Sequence, residues 1–180
     1  MRIEKKNSIA LLIDFQERLF PVMSRQKALL ETTKKLLNGL NTLSVPVLVT
    51  QQYTRGLGET LPELSARIEP FRPIEKVSFS CYDEPAFVEE LENIPASTVL
   101  LFGIEAHVCV LQTAIDLKQA GYQPVVVSDC VSSRSRSDWK AALRRMEAEG
   151  ILLTTMESIL FEMTRSAKAP EFKSISSIVK

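Results

Sequence analysis

A thiol, a carboxylate and an ammonium group can together carry out acyl transfer, and this sequence sets one of each beside a short apolar run: Cys109, Asp14 and Lys76. Asp14 closes the run SIALLI at 8–13. A carboxylate ending a continuous apolar run is costly to bury without a partner, so it is either a paired, functional group or a helix N-cap. Cys109 follows the run TVLLFGI at 98–104 and opens a helical segment. The free N–H groups and positive dipole end of a helix favour the thiolate, the reactive form, and the same N–H groups can bind an oxyanion. The plainer alternative is a buried, inert thiol. Lys76 lies in IEKVSFS, after Pro73. Most lysines are simply solvated; one beside a thiol and a carboxylate stabilises the thiolate and orients the acid. The only histidine, His107, stands two residues before Cys109. That spacing does not place both side chains on one helical face, so no Cys–His pair is expected and Asp14 is the candidate base.

The elements that must position these residues follow from hydrophobic pattern. Residues 8–14, 46–50, 98–104 and 124–128 are apolar runs rich in Val, Leu and Ile, and 151–154 is a shorter one. Runs of this kind suit strands buried on both faces of a parallel sheet. Segments of helical period lie between and after them, at 26–43, 84–92, 107–120, 136–149 and 156–164. Ser137 and Asp138 are candidate caps for the fourth of these. The alternation predicts an α/β fold: a parallel sheet of five or six strands with helices on both faces. In such sheets ligands bind beyond the carboxyl ends of the strands, where Asp14 and Cys109 fall. The stretch 51–82 carries Gly56, Gly58, Pro62, Pro70 and Pro73 with weak periodicity. A connection of that length is read as a functional segment or lid, with a short strand near 74–77. The tail 170–179 reads as a last, docking helix.

Composition removes other classes. A length of 180 residues suits one domain spanning 1–180. Lys plus Arg and Asp plus Glu number 22 each, without the basic excess of a nucleic-acid binder or a polybasic membrane-surface protein. No apolar stretch approaches the roughly 18 residues of a membrane span, and the short run before Asp14 does not suit a signal peptide. A cytoplasmic protein is expected. Three cysteines, Cys81, Cys109 and Cys130, without CxxC spacing fit neither a disulfide framework nor a zinc ribbon. Zero net charge leaves room for a homo-oligomer, a dimer or higher.

Six segments carry a family resemblance: ALLIDFQ at 10–16, VLVTQQY at 47–53, EKVSFS at 75–80, LLFGIEAHVCV at 100–110, VVVSDCVSSRS at 125–135 and LLTTMESILFEM at 152–163. Together they resemble the isochorismatase-like cysteine hydrolases, which include nicotinamidases and N-carbamoylsarcosine amidohydrolase. The resemblance is strongest to isochorismatase-domain proteins of unassigned substrate. It implies a three-layer α/β/α, Rossmann-like domain and a triad of Asp14, Lys76 and Cys109. It also implies a cis peptide between Ile104 and Glu105, and an oxyanion hole made by the N–H groups of Ala106 and Cys109. Zinc-bearing nicotinamidases carry an Asp and histidines after the second strand, where this chain reads Thr50, Gln51, Gln52, Tyr53. No metal and no cofactor are therefore expected. True isochorismatases lack the cysteine, so its presence here implies amide, imide or carbamoyl chemistry on a small-molecule substrate.

Gln16, Phe20, Gln52, Tyr53 and Phe79 are the candidate substrate contacts, with Tyr82 near them in sequence; core packing is the alternative for the aromatic residues. The basic loop SSRSRSD at 132–138 is read as an interface or substrate rim, or else as a solvated turn. Two other functions keep the fold: a catalytically silent interaction protein, and a thiol redox sensor pairing Cys109 with Cys81 or Cys130.

Overall fold

Six strands, all parallel, make one sheet in the computed structural model, which describes residues 2–180. They are β1 (Ser8–Ile13), β2 (Val47–Gln52), β3 (Pro73–Lys76), β4 (Thr98–Ile104), β5 (Gln123–Ser132) and β6 (Leu152–Thr154), in the order β3-β2-β1-β4-β5-β6. β1 and β4 are central, and every residue of both is buried. That is why they read as unbroken apolar runs rather than alternating ones.

Two cores lie on the two faces. Ala10 and Leu12 point to one, shared with Leu36, Leu37 and Leu40 of α1 (Gln26–Thr42). Ile159 and Leu160 of α7 (Met156–Thr164) and Ile175 of α8 (Phe172–Val179) complete it. Ile9, Leu11 and Ile13 point to the other. There they meet Phe87 of α4 (Pro85–Glu92), Ala114 and Leu117 of α5 (Leu111–Gln119), and Met146 of α6 (Arg136–Ala148). The central strands approach so closely at Gly103, where φ is 137°, that an added Cβ would lie 2.1 Å from the Ile13 carbonyl oxygen.

Three sequence expectations change. β5 is longer than 124–128, because its register against β4 shifts between Leu101 and Gly103, a bulge that carries the strand on to Ser132. Residues 51–82 are more ordered than a lid: β2 runs on to Gln52, α2 (Thr54–Leu57) and α3 (Pro62–Ser65) are single turns, and β3 follows. The cap of α6 is Ser135, which accepts from the N–H groups of Ser137 and Asp138.

Candidate active site

The strand order brings the ends of β1, β2, β3 and β4 together at one edge of the sheet. Asp14 follows β1 directly with φ at 51°, a left-handed backbone that costs a non-glycine residue about 1–2 kcal/mol. The turn is held by the Asp14 N–H, which donates to the Thr50 carbonyl at 3.2 Å. Lys76 is the last residue of β3 and pairs in register with Gln52. Cys109 lies in a short π-helical turn, Ala106–Val110, between β4 and α5.

Asp14 and Lys76 meet with both side chains 0% exposed, Nζ 2.8 Å from Oδ2. A buried charge without its partner is costly, so this pair is a structural necessity as well as a chemical resource. The ammonium aims its protons elsewhere: to Gln52 Oε1 at 2.6 Å, Ser78 O at 3.1 Å and Phe79 O at 3.2 Å. The Thr50 hydroxyl donates to Asp14 Oδ1 at 2.8 Å. The Asp14 carboxylate thus lies between the Lys76 ammonium, 2.8 Å from Oδ2, and the Cys109 thiol.

That thiol is 6% exposed. Burial pushes it well above the ordinary thiol range, the Asp14 carboxylate pushes it further, and Lys76 offsets only part of this. The preformed thiolate expected from a helix N-terminus is therefore corrected: the resting group is a neutral thiol, because desolvation and a neighbouring anion outweigh the partial charge of a single π turn. Burial pulls Lys76 down, but Asp14 and the Cys81 and Cys109 sulfurs outweigh it, so the ammonium is held above its usual range.

The peptide bond between Ile104 and Glu105 is cis. The Glu105 carbonyl accepts from Val108 N at 3.1 Å and Val110 N at 3.2 Å, passing over the Cys109 N–H between them. The Glu105 side chain is 8% exposed. Arg134 clamps it, with its backbone N–H 3.0 Å from Oε2 and its Nε 3.1 Å from Oε1. His107 is engaged by Ser133, its Nδ1 2.9 Å from Ser133 Oγ.

The candidate substrate contacts separate. Gln16 is 0% exposed, and its amide is spent on backbone: Nε2 donates to Gln52 O and Gly58 O, and Oε1 accepts from Gln52 N. It holds Gln52 rather than offering an amide to a ligand. Gln52 touches the ammonium as described, and its Nε2 donates to Val77 O at 2.8 Å. Phe20 stacks on Phe15, centroids 5.8 Å apart, and packs on the first core. Tyr82 packs on the second, edge-on to Tyr122. Tyr53, Phe79 and Val77 are 51%, 55% and 74% exposed, and their backbones adjoin Lys76: the Tyr53 N–H donates to Lys76 O and the Phe79 carbonyl accepts from Lys76 Nζ. The basic loop is largely structural: Ser132 Oγ donates to Ser24 O, Arg134 clamps Glu105 and Ser135 caps α6. Arg136 lines a separate cavity of about 70 Å³ with Ser24, Asp129 and Trp139. Cys130 belongs to the first core and Cys81 and Cys109 to the second, so the sheet separates Cys130 from the thiol it was considered to pair with.

Pattern reading gave Thr50 and Thr113 no role and Cys81 only that of a possible redox partner. The place of Thr50 beside Asp14 depends on strand order and register, with Ile13 lying opposite Thr50, which no local signal reveals.

A parallel six-stranded sheet with a buried thiol, carboxylate and ammonium at its carboxyl edge defines an α/β protein of the isochorismatase-like hydrolase fold. The Isochorismatase domain model matches residues 8–158, and the chain belongs to that family. Isochorismatase domain-containing protein 2A of Mus musculus is 41% identical over 180 residues, with 99% of this chain and 85% of that protein covered. The structure of MAR1 ribonuclease from Caenorhabditis elegans is similar at a TM-score of 0.93 and 36% identity, covering 99% of this chain and 92% of that one. The YcaC gene product of Escherichia coli, described as an octameric hydrolase of unknown specificity, has a TM-score of 0.94 at 21% identity, covering 99% and 90%. At that identity the likeness speaks for the fold alone. No helix among the described residues is long and apolar enough to cross a membrane.

Proposed function

We propose that the chain is a metal-independent cysteine hydrolase acting on a small amide, imide or carbamoyl substrate through Cys109, Asp14 and Lys76. The observation that carries this reading is the buried Asp14–Lys76 pair beside the Cys109 thiol. A buried carboxylate next to a neutral thiol is what general-base activation of a nucleophile requires.

The substrate carbonyl carbon sits against Sγ, its oxygen toward the N–H groups of Ala106 and Cys109. As the S–C bond forms, Asp14 takes the thiol proton, and the N–H groups stabilise the oxyanion. Asp14 passes the proton to the substrate nitrogen, the C–N bond breaks and the amine leaves, with a thioester on Cys109. Water then attacks the thioester; Asp14 takes its proton and returns it to sulfur as the C–S bond breaks. Lys76 stays protonated throughout and balances the charge on Asp14. The reading needs no cofactor: the family's metal-ligand stretch is occupied here by Gln52, whose Oε1 already accepts from Lys76. Tyr53 and Phe79 form the rim over which substrate enters.

The exposed Tyr53, Val77 and Phe79 support a homo-oligomer of two or more copies, and three free, buried cysteines support a reducing, cytoplasmic setting. A second reading, ribonuclease, comes from the names of solved relatives, among them the C. elegans protein and two from Leishmania. The balanced charge of 22 against 22 and the burial of Lys76 speak against an RNA partner. The test is a panel of small amides, imides, carbamoyl compounds and single-stranded RNA, assayed with wild type and Cys109→Ala. Hydrolysis of a C–N substrate lost in the variant supports the proposal. Turnover of RNA alone, or activity that survives the substitution, overturns it.

A further inference from the structure

A buried threonine in an interior strand is a costly choice where valine has the same shape, unless its hydroxyl is used. Thr50 is 0% exposed. Its one proton goes to Asp14 Oδ1 at 2.8 Å. The Cys81 sulfur lies 3.7 Å from the same hydroxyl oxygen. With the threonine proton committed to Asp14, the Cys81 S–H is the donor of that contact. Burial pushes the Cys81 thiol up to about 11, so it keeps that proton near neutrality. The Cys81 N–H in turn donates to Thr113 Oγ1 of α5 at 2.9 Å. Thr113, Cys81, Thr50 and Asp14 are all 0% exposed, and they form a dry line from the helix after the nucleophile to the base.

We propose that Thr50, backed by Cys81, is the positioning residue that keeps the Asp14 carboxylate turned toward Cys109. This rests on the reading of Cys109 as nucleophile and Asp14 as its base. Asp14 has two oxygens and two strong neighbours. Lys76 lies 2.8 Å from Oδ2, and a carboxylate free to rotate would turn both oxygens to the ammonium. Thr50 holds Oδ1 in place and prevents that rotation. The carboxylate then stays within reach of the thiol proton. Without the hydroxyl, the carboxylate turns to the ammonium and the thiol loses its acceptor.

The test is a double-mutant cycle read by iodoacetamide alkylation of Cys109 at pH 8, followed by mass spectrometry of the Cys109 peptide. Asp14→Asn removes the anion that pushes the thiol up, so it speeds alkylation. Thr50→Val produces a smaller change in the same direction, at least about threefold, because it detaches the same group. Thr50→Ser restores the hydroxyl and stays within about twofold of wild type. On the Asp14→Asn background, Thr50→Val changes the rate by less than about 1.5-fold, since nothing remains to position. Cys81→Ala acts in the same direction as Thr50→Val and more weakly. An equal effect of Thr50→Val in both backgrounds, or none in wild type, overturns the positioning role while leaving the nucleophile and base intact. An unchanged rate in Asp14→Asn itself overturns the nucleophile–base reading, and the positioning role with it.

Discussion

Cys109 is the residue whose properties changed most between sequence and structure. Its place after an apolar run pointed to a helix terminus and an easily formed thiolate. In the fold it is a buried neutral thiol beside a carboxylate that keeps the proton on sulfur, and in the proposed reaction the same carboxylate takes that proton as the S–C bond forms. This has a consequence for alkaline stability. Cys109, Cys81 and Lys76 all hold protons more tightly folded than unfolded. Their stabilisation is fully present below the unfolded thiol value of about 8.5 and is lost as pH rises toward the folded values. Melting temperature should therefore decline from pH 8.5 upward, and Cys109→Ala should flatten the decline; differential scanning fluorimetry across pH 7–11 checks this. Lys76→Met should leave a buried carboxylate unpaired and cost about 3–5 kcal/mol in denaturant titration.

At the scale of elements, the strands were legible because burial on both faces writes itself as uninterrupted Val, Leu and Ile. Asp14 stood out as a charge at the end of such a run, and Lys76 and Cys109 through the motifs around them. The β5 bulge was not legible, because Ser128 and Asp129 look like the end of a strand when they are its irregularity. Nor was the cap of α6, since Ser135, Ser137 and Asp138 are all cap-forming types and only geometry chooses Ser135. Ser135→Ala should cost about 1 kcal/mol, whereas Ser137→Ala should be nearly neutral in the same denaturant assay. Gln16 and Thr50 could not be separated from substrate contacts or core by type alone: each is a polar residue whose partners come from another strand. At the β1–β4 contact, Gly103→Ala should destabilise by more than about 2 kcal/mol, because both the positive φ and the Ile13 carbonyl oppose a side chain.

For the whole molecule, the two cores and the absence of charge in β1 and β4 make a rigid base from which the acid, the ammonium and the thiol project at one edge. The apolar rim of Tyr53, Val77 and Phe79 beside that edge is exposed in the single chain. Light scattering should give a mass that is a multiple of 20.2 kDa, and Val77→Asp with Phe79→Asp should shift it toward the monomer. The central claim is that Asp14 governs the proton of Cys109. It is tested most directly by the pH dependence of Cys109 alkylation in wild type and Asp14→Asn. The account predicts a wild-type midpoint well above the free-thiol value of about 8.5, and a clear fall toward it in the variant. A wild-type midpoint at or below the free-thiol value, or one that the substitution leaves in place, would contradict it.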